Sequence, residues 1–147
     1  MRRRGLIAAG IVVFVAVSFA IARFLTTEGR ERSALVDLIT AQVRGDAPTM
    51  LDELDPVCRA DRRCRSTVEA NARKLRREGD PKIISLKSDT AYALGEATGT
   101  TRVAWTVLDD SLPVVQCVEV RRAGSAAAGR RVTLLAISAP IGNEASC

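Results

Sequence analysis

Behind Arg2, Arg3 and Arg4 the chain runs from Gly5 to Ala22 without a single charge. Glycines and Ser18 are the only breaks in an otherwise apolar, alanine-containing run. A helix of 18 residues is about 27 Å long, close to the hydrocarbon thickness of a bilayer. Extended through Phe24 and Leu25, with Arg23 snorkelling to the interface, it spans comfortably. A core helix keeps a polar face toward water; this run has none and needs apolar surroundings on every side. Three arginines before the span and one after it predict a cytoplasmic N-terminus. Ala20-Ile21-Ala22 also fits the small-x-small pattern of a signal peptidase site, so a cleaved signal is the alternative. The run exceeds the usual h-region of about 7–15 residues, which favours an uncleaved anchor. The expected organisation is therefore an anchor over 1–25, a polar segment over 26–32 and an extracytoplasmic domain over 33–147. The polar segment is either a short stalk or the continuation of the anchor helix.

The net charge of +5 belongs mostly to the anchor. Removing Arg2, Arg3, Arg4 and Arg23 from the 22 basic residues leaves 18, against 17 acidic residues that all lie at Glu28 or beyond. A domain so nearly neutral lacks the one-sided field that drives phosphate-backbone binding, and nucleic acid is not an expected partner. The expected partners are the membrane and another envelope protein. Histidine is absent, which removes the usual general base near neutral pH and any serine triad of the common type. Outside the anchor only Tyr92 and Trp105 are aromatic, too few for a stacking platform.

Cys58, Cys64, Cys117 and Cys147 all fall on the expected outer side, where disulfides persist. Four cysteines allow three pairings. A turn near Pro56 favours joining Cys58 to Cys64, leaving Cys117 in a β-pattern to staple Cys147 at the chain end. The competing zinc site would need four thiolates at spacings unlike the usual knuckles, so no metal and no cofactor are expected.

Leu35, Leu38, Ile39 and Val43 recur at helical spacing, and Gly45 suits the C′ position after them. Asp46 suits the cap of a second short helix through Met50 and Leu54, closed by Pro56. A third helix is expected from Asp61 or Ser66 to Arg77, with Ser66-x-x-Glu69 as a capping box. Beyond Pro81 the period changes to that of strands: 83–86, 90–94, 101–107, 114–120 and 131–137, with 95–99 as a turn. Two to three helices followed by four to five antiparallel strands make an α+β domain, with helices on one face of a curved sheet.

The helix Ala34–Val43 running into Gly45-Asp46-Ala47, then a short helix and a strand meander, resembles the cystatin-like/NTF2-like cone of small membrane-anchored actinobacterial envelope proteins. Enzymes of that superfamily place acidic residues, histidines or tyrosines in the cone. With one tyrosine and no histidine, the resemblance implies a non-enzymatic scaffold or interaction domain. Among the domain's residues, Glu119 stands in an otherwise apolar strand, where a desolvated carboxylate could act as acid or base. Tyr92 and Trp105 are candidates to line an apolar-ligand pocket with it, the alternative role for such a domain whether anchored or secreted. The basic stretch Arg59–Arg77 either grips lipid headgroups, a polyanion or an acidic partner, or is a solvated face balanced by Asp46, Asp52, Glu53, Asp55 and Asp61.

Overall fold

In the computed structural model residues 2–90, 95–107, 112–124 and 131–147 are described, without the side chains of residues 2–9, 20 and 23–28. The first element, α1, is an unbroken helix Arg2–Arg44 of 43 residues, about 65 Å long. Residues 26–32 are thus helical and continue the apolar segment directly into the domain. Glu31 within them is fully buried, so the packed body begins two residues before the expected boundary. Among the described residues no helix is long and apolar enough to cross a membrane. The described side chains of the apolar run cover only 10–19, 21 and 22.

Gly45 turns the chain out of α1 with φ +77°, the left-handed conformation glycine adopts without strain. Helix α2 (Ala47–Glu53) starts on Asp46, whose carboxylate accepts from the Thr49 N–H and hydroxyl. Those bonds, the hydroxyl's first, hold Asp46 below the usual carboxylate range. Because the shift is downward, its stabilising effect is present above the ordinary carboxylate pKa and fades as the pH falls through the lowered one.

Pro56 does not close α2. Leu54 is extended and bridges to Leu134, and Pro56 instead opens α3 (Pro56–Ala60) behind the Asp55 cap. Proline is well placed there, since the first helical N–H has no partner to lose. Helix α4 (Arg62–Lys74) is capped by Asp61, whose carboxylate accepts from the Cys64 N–H at 2.7 Å. Ser66 is therefore inside the helix rather than a cap, and its hydroxyl donates to the Arg63 carbonyl.

The strands β1 (Lys82–Ser88), β2 (Ala97–Thr106), β3 (Val114–Ala123) and β4 (Arg131–Ile137) form one antiparallel meander in sequence order. The strand expected at 90–94 lies, from 91 onward, outside the described residues. Gly99 was expected in a turn but belongs to β2, beside the chain at Thr90: a Cβ there would come within 2.7 Å of the Thr90 methyl. The domain is α+β, with four named helices and a four-stranded antiparallel sheet among the described residues.

Strand parity sends Thr101, Val103 and Trp105 of β2 and Val114, Gln116, Val118, Val120 and Arg122 of β3 to one face. Leu35, Leu38 and Ile39 of α1 join Val103, Trp105, Val118, Val120 and Leu134 in a single buried cluster. At one end of this core the Glu31 carboxylate accepts from Arg122 Nε at 2.9 Å and again from Arg122 Nη2. Its other oxygen accepts from the Thr101 hydroxyl at 2.6 Å. Glu31 is 0% and Arg122 2% exposed. At the other end, Gln42 and Gln116 exchange side-chain hydrogen bonds, and the Trp105 indole donates to Gln116 Oε1 at 2.9 Å.

Replacing Arg122 with methionine strands the Glu31 carboxylate in the core. It should cost about 3–5 kcal/mol in denaturant unfolding of the full chain, while the double replacement Glu31→Leu/Arg122→Met should recover most of that loss. Equal losses in the single and double variants would show that the pair does not act as a unit.

Candidate functional site

The face of the sheet away from α1 carries the positions of opposite parity: Thr100 and Arg102 of β2, and Val115, Cys117, Glu119 and Arg121 of β3. The chain after β4 returns across this face. Ile141 bridges to Val115, the Ser138 hydroxyl accepts from the Cys117 N–H, and Arg102 donates to the carbonyls of Asn143 and Ala145. Cys147 is then bonded to Cys117. The other disulfide joins Cys58 at the back of α3 to Cys64 in the first turn of α4, with Cα atoms 5.2 Å apart. The break between the two helices at Asp61 lets sulfurs six residues apart meet. All four cysteines are thereby committed to disulfides, and zinc has no thiolates to bind.

Between the two disulfides lie two adjoining recesses. One of about 360 Å³ is lined by Asp55, Val57, Cys58, Asp61, Glu119 and Arg121 among others. The second, of about 280 Å³, is lined by Thr100, Cys117, Glu119, Ser138 and Cys147 with Ala136 and Ile137. Glu119 and Ala136 belong to both, so the recesses form one shallow groove with the carboxylate on its divide. Arg121 is paired with Asp55 at 3.0 Å, which ties the groove wall to the start of α3. Glu119 itself is exposed. It stands on the divide of an open groove rather than inside either recess.

Trp105 is on the opposite face, fully buried in the core, with its N–H committed to Gln116 and Arg77 lying 5.9 Å over its ring. Trp105 and Glu119 therefore share no pocket. Tyr92 lies outside the described residues. Among the described residues no group of three or more histidine, cysteine or carboxylate side chains gathers to hold a metal. The sequence reading overlooked Glu31 and Arg122, although both carry a usable signal. Glu31 is four residues before Leu35 on the buried helical stripe, and Arg122 has the inward parity of Val118 and Val120.

Comparison with known proteins finds no family model, no curated protein and no solved structure that matches this chain.

The two disulfides close loops of different size, with sequence separations of 6 and 30. On chain-entropy grounds, losing the Cys117–Cys147 bridge by a double serine substitution should cost about 3–4 kcal/mol, against about 2 kcal/mol for Cys58–Cys64. Thermal unfolding of the two variants checks that order. A reversed order would mean that the tail is held to the sheet chiefly by its hydrogen bonds.

Proposed function

We propose that this is a single-pass membrane protein whose α+β domain stands outside the cytoplasm as a non-enzymatic interaction domain. The observation that carries the reading is the bare apolar surface of α1. Val12, Val13 and Phe14 are 68%, 63% and 72% exposed, and Ile11, Val15, Val17, Phe19 and Ile21 are also exposed. These positions cover the whole circumference of the helix. Water is an expensive solvent for such a surface, and lipid is the surrounding that suits it on all sides. Two disulfides support an oxidising location for the domain, and the arginines at positions 2–4 support the inward N-terminus.

The scaffold role follows from what the domain offers. Its core polar groups are all satisfied among the described residues, its tryptophan is sealed, and Glu119 on β3 stands in open water. A long helix lying along an antiparallel meander, with three shorter helices after it, also supports the resemblance to the cystatin-like/NTF2-like cone.

Intact mass without reductant, measured separately on membrane and soluble fractions, tests the reading. Full-length protein in the membrane fraction, lighter than the reduced chain by the four hydrogens of two disulfides, is the expected result. Soluble protein beginning after Ala22 would overturn the anchor and leave a secreted domain.

A further inference from the structure

Of the acidic residues that balance the basic stretch in sequence, Asp52 pairs with its first arginine in space, while Asp46, Asp55 and Asp61 are engaged elsewhere. Asp46 caps α2, Asp52 pairs with Arg59 at 2.9 Å, Asp55 caps α3 and pairs with Arg121, and Asp61 caps α4. Arg62, Arg63, Arg73, Lys74 and Arg76 are exposed, and among the described residues no carboxylate lies within ion-pair distance of them. Arg62 and Arg63 even occupy the first turn of α4, where the helix dipole repels positive charge. Helical spacing puts Arg62, Ser66, Glu69, Ala70 and Arg73 along one outward ridge, while Val68, Asn71, Ala72 and Leu75 face the core. The cations gather at the two ends of that ridge, about 16 Å apart, with half-buried Glu69 and Ala70 between them.

We propose that this ridge is a docking surface for a linear phosphate-bearing polymer of the layer outside the membrane. Three features choose that occupant. The geometry, which rests on the anchored reading, lifts the Arg73 end of the ridge away from the bilayer. The Arg77 N–H donates to the Val43 carbonyl at 2.9 Å, and Val43 is about 27 Å along α1 from Leu25 at the membrane exit. Lipid headgroups do not reach so far. A folded protein partner is disfavoured because the ridge presents no large apolar or aromatic side chain to act as an anchor. Nucleic acid would find no ring there to stack its bases on. What remains is charge spaced in two clusters, mostly arginine, whose forked donors match phosphate oxygens. Such a surface holds a repeating anion better than a single compact one.

The test uses the full chain in nanodiscs of phosphatidylcholine, titrated with long-chain inorganic polyphosphate. Binding is expected at about 50 mM salt and should weaken about fifty-fold by about 200 mM, as counterion release from four neutralised phosphates requires. Replacing Arg62, Arg63, Arg73 and Lys74 together with glutamine should lose about tenfold or more at the lower salt. The control Arg32→Gln/Lys87→Gln, at exposed cations elsewhere, should stay within about twofold. No binding at low salt overturns the proposal, as does an equal loss in the control pair. Polyphosphate binding that is abolished when anionic lipid is added to the discs assigns the ridge to headgroups instead. Polyglutamate of matched length binding as tightly removes the phosphate assignment. A chain that never enters the discs sinks the anchor separately, and the same titration on that soluble protein still decides the polymer.

Discussion

A carboxylate and a guanidinium that are both shut away from water leave a chain almost no freedom in how it packs. Glu31 reaches the domain from the helix side and Arg122 from the sheet side, and the two charges meet in the core. Pairs of this kind contribute little net stability, because desolvation cancels much of the attraction. Their effect is on register. Sliding α1 by one turn along the sheet would bury Leu35 opposite Arg122 and carry Glu31 out toward the apolar segment. Thr101 sharpens the constraint by donating to the second carboxylate oxygen, with the Ser88 hydroxyl 2.9 Å further on. The Gln42–Gln116 exchange applies the same discipline at the far end of the core. Between these two polar stations the contact is apolar and permissive; the stations decide which permissive packing is used.

Because α1 is unbroken, that register also fixes the relation between the apolar segment and the domain. A flexible stalk would let the domain swing about the end of the apolar segment. A helix locked to the sheet at Glu31, shortly beyond Leu25, removes that freedom. The order of stations along α1, Glu31 then Gln42, is opposite to the order Gln116 then Arg122 along β3, so helix and strand run in opposite directions. The Arg122 end of the sheet is consequently the end nearest the apolar segment. Val114 and Trp105 are at the far end, where Arg77 closes over the indole ring. The Cys117–Cys147 bridge and the Arg102 contacts then tie down the returning tail on the face that α1 leaves open.

Much of this was legible in the residues. The Leu35/Leu38/Ile39/Val43 stripe, the Gly45 turn, the Asp46 cap and the strands at 83–86, 114–120 and 131–137 follow from local periodicity, and they stand where periodicity put them. The pairing of the cysteines followed from loop size and the proline turn. The misplacements were at boundaries where two local signals compete. Pro56 ends one helix as readily as it begins another, and what decides is Asp55, whose side chain accepts from Val57 while its backbone N–H bonds to Leu134 across the domain. Ser66-x-x-Glu69 has the letters of a capping box, yet of the two starts open in the sequence the helix takes the earlier one, at Asp61, whose carboxylate accepts from the Cys64 N–H. The pocket expected around Trp105 and Glu119 failed on strand register: Trp105 pairs with Val114 and Glu119 with Thr100, so odd positions of β2 share a face with even positions of β3 and the two odd-numbered residues face opposite ways. Applied to Arg122, the same parity count finds the core's buried cation. It was passed over because a charged residue in a strand is ordinarily assigned to solvent, whatever its phase.

The opposed directions of α1 and β3 bear on how two copies can meet. Strand β1 forms one edge of the described sheet and runs parallel to β3, hence against α1. An exposed edge is a template for self-pairing, and like strands join most simply in antiparallel fashion about a two-fold axis normal to the sheet. That axis reverses the direction of everything lying in the sheet plane, α1 included. On the anchored reading the two apolar segments would then point to opposite sides, which two copies in one bilayer cannot do. On that reading insertion would suppress the commonest edge association, and the bulge at Ile83/Ser85 with Lys82 and Lys87 on the edge works in the same direction. Copies sharing a membrane are left to meet through faces with a two-fold axis along α1, and of the domain's two faces the one turned away from α1 is already crossed by the disulfide-tied tail. The exposed flank that remains is the one built by α3 and α4, whose surplus of arginine repels its own likeness.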